Sequence, residues 1–130
     1  MVSGAFDAVA VDAWGTIYLT RGTDRPNVVK IPAGQTVPTK TAFPDMQLAS
    51  GVTVDSAGNV HVSDGWASAS PVYRLAAGHT SATALDVVDV SFPNSLANGV
   101  AVDNDGNLYV VDMKESRVIK VRAPLKDASH

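Results

Sequence analysis

The side chains best suited to contact a ligand or a partner lie in three loops, each of which follows a pair of short apolar segments. Trp66 stands among glycine, alanine and serine in the second loop. An aromatic ring in such a loop is costly to leave in water, so it either binds a ligand or packs over a neighbouring part of the molecule. The charged candidates lie in the same three places: Arg21, Asp24, Arg25, Asp64, Asp112 and Lys114. The simpler alternative for these charges is a solvated loop.

Two of the carboxylates end the apolar segments that precede the loops. Arg117 begins the segment after Asp112, and we expect the two opposite charges to pair across the neck of the loop. Asp64 has no arginine in the matching position. We therefore expect Asp64 to be the freer of the two carboxylates.

Residues that could catalyse a reaction or hold a metal are not arranged for either task. The chain has no cysteine, which excludes thiol catalysis and thiolate metal sites. The three histidines, His61, His79 and His130, lack the spacing of zinc ligands, and His61 is expected to be a packed core residue. No serine lies in a nucleophile elbow. We therefore predict no catalytic residue, no metal and no cofactor.

The charge and hydropathy of the chain exclude two classes of partner. The formal net charge is −3 and the cations are scattered singly, which argues against nucleic acid and against an anionic membrane surface. No apolar run approaches the roughly 20 residues that span a bilayer, and the first residues lack the features of a signal peptide. We expect no membrane insertion within the chain, which is either cytoplasmic or a mature or excised domain.

The candidate loops follow three copies of one sequence unit. The copies are "AVAVDAWGTIYLTR" (8–21), "GVTVDSAGNVHVSD" (51–64) and "GVAVDNDGNLYVVD" (99–112), aligned at an aspartate and at a glycine three residues later. Each half is a short β-rich run, and Asp-x-x-Gly between the halves is typical of a type I turn closed by a glycine with positive φ. We interpret the aspartates as acceptors for N–H groups of their own turns rather than as calcium ligands.

Further apolar runs complete each unit. The third strands are predicted at 28–31, 72–75 and 118–121, and the fourth at 38–43 and 81–88. The residues after Val121 are too few and too polar to supply a fourth strand to the last unit. Since no segment shows a helical period, the chain is predicted to be all-β, with three sheets of four strands of which the last is incomplete.

The first strand of each unit places valines on one face and small residues on the other. Val9 and Val11 oppose Ala8 and Ala10, and the other two units repeat this alternation. Neither face carries a charge, so we expect both to be buried, with one face crowded enough to require small residues. Sheets that stack face to face around a common axis give this pattern, which indicates a propeller.

The three units resemble NHL repeats, whose pattern is roughly G-V-A-V-D-x-x-G-N-x-Y-V-x-D, a loop, and R-V-x-K. The third unit, "GVAVDNDGNLYVVDMKESRVIKV", matches this pattern nearly throughout. The resemblance covers nearly the whole chain and implies one segment of three propeller blades, at about 6–46, 47–93 and 94–125. The chain is most similar to the extracellular sensor domain of mycobacterial receptor serine/threonine kinases, and propeller lyases are more distant relatives.

This resemblance implies that the candidate loops gather near a central channel, where ligands usually bind. It implies a non-enzymatic module that binds a small molecule or a protein and is extracellular or periplasmic as part of a larger protein, although a cytoplasmic location stays open. The alternatives are a lyase or lactonase with a metal at the channel mouth, and an excised or engineered half-propeller whose only activity is assembly.

Three blades do not close a ring, and propellers of this family usually have six. An open set leaves two apolar sheet faces in water, which is typical of an interaction surface. We expect a homodimer that completes a six-bladed ring around a two-fold axis. The alternative is that the chain is a fragment of a longer propeller.

Overall fold

The computed structural model of the chain describes residues 5–65, 72–85, 87, 97–113 and 116–127, and these residues form eleven β-strands and no helix. The first sheet contains β1 (Ala8–Val11), β2 (Ile17–Thr20), β3 (Val28–Ile31) and β4 (Thr39–Lys40). The second contains β5 (Ala49–Val54), β6 (Val60–Asp64), β7 (Val72–Leu75) and β8 (Thr83–Ala84). The third contains β9 (Ala97–Val102), β10 (Leu108–Asp112) and β11 (Arg117–Val121).

In all three sheets the strands pair antiparallel in the order in which they follow one another along the chain. The predicted fourth strands are present in the first two sheets, although β4 and β8 are each only two residues long. Within the described residues the third sheet has three strands. The prediction of an all-β chain whose last sheet is incomplete is therefore confirmed.

The turn between the first two strands of each sheet has the predicted geometry. The three turn glycines have positive φ angles: 92° at Gly15, 91° at Gly58 and 84° at Gly106. In the third turn, Asp103 Oδ1 accepts the backbone N–H groups of Asp105 at 3.0 Å and Asn107 at 2.9 Å. Hydrogen bonds from Asn107 hold the pKa of the Asp103 carboxyl below its usual value. Asp12 and Asp55 accept equivalent backbone bonds, which confirms the interpretation of these aspartates as turn acceptors.

The innermost strands β1, β5 and β9 lie side by side, with β5 in the middle. Val52 and Val54 of β5 belong to one apolar cluster with Ala8 and Ala10 of β1. Val100 of β9 packs against the cluster between the second and third sheets. The valines of β5 thus face the small residues of β1, which explains the alternation in these two strands.

The segment after β11 returns to the outer edge of the second sheet. Asp127 pairs with Leu85 in an isolated antiparallel bridge, and its carboxylate lies 3.0 Å from Arg74 Nη2 and accepts the Thr83 hydroxyl at 2.7 Å. This contact ties the third sheet to the second at their periphery. None of the described residues lies in a helix long and apolar enough to cross a membrane.

Candidate functional site

A cleft of about 550 Å³ lies where the three innermost strands converge. Asp7, Ser50 and Asn98 line it, and each stands five residues before the turn aspartate of its own unit. The remaining lining residues are small or apolar: Ala8, Leu48, Gly51, Val52, Gly99 and Val100. The fold therefore brings one polar side chain from each sheet to one opening, because all three occupy the same position of the repeat.

The close approach of β5 and β9 beneath this cleft depends on Gly51. A Cβ atom at Gly51 would lie 2.7 Å from the carbonyl oxygen of Asn98 and 3.1 Å from the Cα of Gly99. Such distances leave no room for a methyl group against backbone atoms. The absence of a side chain at this position lets the two strands meet, and it brings Ser50 close to Asn98.

A buried hydroxyl fixes the spacing between these two strands. Ser63 on β6 is fully buried, accepts the Gly51 N–H at 2.8 Å and donates to the Asn98 carbonyl at 2.9 Å. The Ser50 hydroxyl lies 2.9 Å from the Ser63 oxygen. Because the Ser63 proton goes to Asn98, Ser50 is the donor of this bond.

Asp7 is the only carboxylate among the described residues that line the cleft. Its backbone N–H donates to the Thr20 carbonyl at 2.9 Å, which fixes the residue at the entrance to β1. Gly22, with φ of 60°, leaves space for the carboxylate, since a Cβ there would lie 2.6 Å from Asp7 Oδ2. The side chain is exposed to solvent and can meet a molecule that enters the cleft.

The comparisons with known proteins concern the fold. No family model and no curated protein matches the sequence. Among solved structures, a gluconolactonase from Xanthomonas campestris matches with a TM-score of 0.63 and 15% identity, over 99% of this chain and 52% of its own. Virginiamycin B lyase from Staphylococcus aureus matches with a TM-score of 0.60 and 15% identity, over 94% of this chain and 42% of its own. The chain has the β-propeller fold. It spans about half the length of the solved structures it matches.

These neighbours correct one prediction from the sequence. Both are enzymes, which contradicts the prediction that this propeller is not an enzyme. The sequence suggested no enzyme because it offers no cysteine and no histidine pair, and neither is needed for chemistry that uses carboxylates and water. Neither of the two structures is a kinase sensor domain, and that closer resemblance stays a prediction.

The first predicted loop of the propeller is an ordered structure held by a residue that sequence reasoning missed. Asn27 is 3% exposed, and its Nδ2 donates to the carbonyls of Gly22 at 2.9 Å and Asp24 at 3.0 Å. Arg21 donates to the Pro26 carbonyl at 3.4 Å. The loop of the first blade is thus held mainly by hydrogen bonds from two of its side chains to its own backbone carbonyls.

Arg25 lies at the outside of the same loop. Its guanidinium is 3.2 Å from Asp45 Oδ2, and both side chains are more than half exposed. A pair of this kind contributes little to stability. Arg21, Asp24 and Arg25 do not line the central cleft. Gly22, next to Arg21, and Asp64 pair with the same residue, Ala49. Trp66 and Lys114 lie outside the described residues.

Asp64 and Asp112 end β6 and β10 as predicted, and both are buried. Asp112 accepts the Arg117 Nε–H at 3.3 Å, which confirms the predicted ion pair across the loop neck. The expectation that Asp64 is the freer carboxylate is wrong. Asp64 accepts the backbone N–H groups of Gln47 and Leu48, each at 3.1 Å, and thereby anchors the segment that enters β5 and borders the cleft.

Replacing Asp64 by alanine is expected to lower the free energy of unfolding by about 2 kcal/mol, because two backbone N–H groups lose a charged acceptor. Urea denaturation followed by fluorescence would measure the change. Asp105→Ala is the matched control, since its side chain is exposed on a turn and its loss should cost at most about 0.5 kcal/mol. Equal stabilities of the two variants would show that Asp64 does not anchor the segment.

The described residues of a single chain do not form a metal centre at the cleft. Within the part of the chain that the structure describes, no three side chains of His, Asp or Glu are grouped so that they could hold a metal ion. The oxygen atoms of Asp7, Ser50 and Asn98 are of the type that hard cations prefer, but they include a single carboxylate. The residues described in one chain therefore do not fit a metal at the channel mouth, which was part of the lyase or lactonase alternative.

Proposed function

We propose that this propeller is an enzyme that opens lactones by hydrolysis in the cleft between its innermost strands. The observation that supports this most directly is the convergence of Asp7, Ser50 and Asn98, one from each blade, on a cleft whose other walls are small or apolar. Such a combination of apolar walls and few polar groups is typical of small-molecule sites. The likeness to a gluconolactonase supports a lactone as the substrate class.

The cleft supplies the groups that hydrolysis of a cyclic ester needs. The Asp7 carboxylate takes a proton from a water molecule as the water oxygen bonds to the carbonyl carbon of the lactone. The ring C–O bond then breaks, and the proton passes from Asp7 to the departing ring oxygen, which becomes a hydroxyl. No net proton is consumed in forming the hydroxy acid, which then ionises in neutral solution.

Two other side chains position the substrate in this scheme. The amide N–H groups of Asn98 can donate to the carbonyl oxygen, on which negative charge develops when water adds. The Ser50 oxygen, whose proton is held by Ser63, can accept a hydrogen bond from a substrate hydroxyl. A hydroxylated lactone therefore suits the cleft better than an apolar one.

Replacing Asp7 by asparagine is expected to lower kcat at least about 100-fold, the usual contribution of a general base. The assay follows acid release from glucono-1,5-lactone and a set of γ- and δ-lactones with a pH indicator, above the spontaneous rate. Asp45→Asn is the control, because that carboxylate is exposed and lies outside the cleft. Assays with added Mg²⁺, Ca²⁺ or Zn²⁺ and with a chelator test whether a cation takes part.

Two results would overturn the proposal. One is the absence of activity above the spontaneous rate on every lactone in the set. The other is activity that Asp7→Asn leaves unchanged. A product that forms without gaining the mass of one water would identify a lyase instead, the activity for which the second neighbour is named.

A further inference from the structure

The two end blades each expose apolar side chains. On the first blade, Val9 and Val11 of β1 are 61% and 58% exposed. Farther out on the same face the apolar side chains of β2 and β3 are buried, namely Leu19, Val29 and Ile31. On the third blade, Val118 of β11 and Met113 after β10 are 64% and 56% exposed, and Val111 is partly exposed beside them. Large apolar side chains in this number at both ends of one stack of sheets are unusual on a monomer surface.

The two faces are complementary by the rule that governs the contacts inside the chain. Val9 and Val11 occupy the repeat positions at which Val52 and Val54 pack against Ala8 and Ala10. Small residues stand at the matching positions of β9 as well, namely Gly99 and Ala101. Among the described residues, a Cβ at Gly99 would meet only Val111 Cγ2, at 3.7 Å. The third blade therefore offers, on its open side, a recess like the one on the first blade that the valines of the second blade fill.

We infer that the occupant of both faces is a second copy of this chain, related by a two-fold axis, so that the third blade of each copy packs on the first blade of the other. One chain covers 52% of the length of the solved gluconolactonase, so two copies supply a whole propeller of that length. The two-fold axis relates the two contacts to each other, and the ring closes after two copies.

The contact between copies differs from the internal contacts in one respect. Inside the chain a hydroxyl bridges neighbouring blades, since Thr20 donates to the Ser50 carbonyl at 3.3 Å and Ser63 donates to the Asn98 carbonyl at 2.9 Å. Val111 stands at the same repeat position of the third blade. The contact between copies therefore rests on apolar burial, and a charge placed there has no partner.

The pairing completes the site as well as the ring. The cleft of one chain is bordered by three innermost strands, and the second copy contributes its own Asp7, Ser50 and Asn98 to the same central channel. The channel of the pair would then be lined by two Asp7 carboxylates, one from each copy. The pairing does not depend on the proposed catalysis, and its test measures mass rather than activity.

Light scattering on a sizing column measures the mass of the 130-residue chain over a dilution series down to about 1 μM. The expected result is a species of twice the 13.5 kDa chain mass. A monomer at about 100 μM would overturn the inference, and so would a series of growing open polymers, because both mean that two copies do not close a ring.

Two variants block one face each and leave the fold of the single chain intact. Val9→Lys places a charge on the first blade, and Gly99→Leu fills the recess of the third; both are expected to weaken pairing at least about 100-fold. The matched controls are Val37→Lys, at a residue 65% exposed in the loop before β4, and Gly99→Ala, which restores the residue found at Ala8. Circular dichroism and a thermal melt confirm that each variant is folded.

Mixing the two blocked variants distinguishes this geometry from any other dimer. A pair made of one Val9→Lys chain and one Gly99→Leu chain keeps one unaltered contact, whereas each variant alone has none. The expected result is two monomers that associate weakly when mixed. A stable dimer formed by either variant alone would overturn the head-to-tail arrangement.

Discussion

Replacing Gly51 by alanine is expected to lower the free energy of unfolding by about 3 kcal/mol, at the upper end of what overpacking costs. The added methyl group would lie 2.7 Å from the Asn98 carbonyl oxygen and 3.1 Å from the Gly99 Cα, both of which are backbone atoms. A neighbouring side chain could rotate away from the methyl group, but backbone atoms cannot, so β5 and β9 must move apart. Separation also lengthens the hydrogen bond from Ser63 to Asn98. Urea denaturation at one fixed protein concentration measures the change.

The matched control is Gly99→Ala, on the neighbouring strand. Within the described part of the chain its Cβ meets only Val111 Cγ2, at an ordinary contact distance of 3.7 Å, so the expected change is within about 0.5 kcal/mol. The two variants add the same atoms to the same repeat position of adjacent blades. If they proved equally stable, the close approach of β5 to β9 would not be what limits the residue at position 51.

The sequence is sufficient to predict this part of the fold because the constraint is local and repeated. Valines alternate with small residues in three strands, and a period of two with no charge on either face fits sheets stacked on both sides. The Asp-x-x-Gly turns are equally local, since each aspartate accepts N–H groups from its own turn. Strand order then follows, because short loops join antiparallel neighbours.

The candidate site is less visible in the sequence. Asp7, Ser50 and Asn98 occupy one repeat position but differ in residue type, so no motif marks them. They become a group only when the three strands converge on an axis. Sequence reasoning instead favoured the loops that follow the second strand of each hairpin, at the same end of the strands as the cleft. Two of its candidates, Asp64 and Asp112, are buried carboxylates that hold loops in place.

Long-range hydrogen bonds explain the remaining differences. Asp64 anchors Gln47 and Leu48, and Asn27 accepts the Met46 N–H at 2.7 Å. Each bond joins segments that lie far apart in the sequence, and no pairing rule connects them before the fold is known. The error about enzymatic function has a different origin, because a propeller fold carries enzymes and binding modules alike.

The acid stability of the propeller is expected to depend on His61. This residue is 1% exposed on β6, as its place inside an apolar strand predicts, and its Nδ1 has no hydrogen-bond partner in the described part of the chain. Burial lowers the pKa of His61 from 6.5 to about 4, an effect that the nearby Asp55 opposes and Arg74 reinforces. The folded chain therefore keeps this imidazole neutral at a pH where the unfolded chain protonates it.

The sign of the effect follows from proton binding. Between pH 6.5 and about 4 the unfolded chain binds the proton and the folded chain does not, so the free energy of unfolding falls as the pH falls through this range. The loss from His61 amounts to about 3 kcal/mol by pH 4. His61→Phe keeps an aromatic ring and removes the titration, and it is expected to lose about 3 kcal/mol less than the wild type over this interval.

Urea denaturation at pH 7 and pH 4 measures the difference between the two pH values for each protein. Val110→Ala serves as the control, because it removes packing from the same buried layer and should lower stability equally at both pH values. If His61→Phe only weakened the packing, its free energy of unfolding would be lowered by the same amount at pH 7 and pH 4, as in Val110→Ala. If His61→Phe and the wild type lost the same free energy on acidification, the imidazole would already be protonated in the fold, and the apolar layer between the second and third blades would have to accommodate its charge.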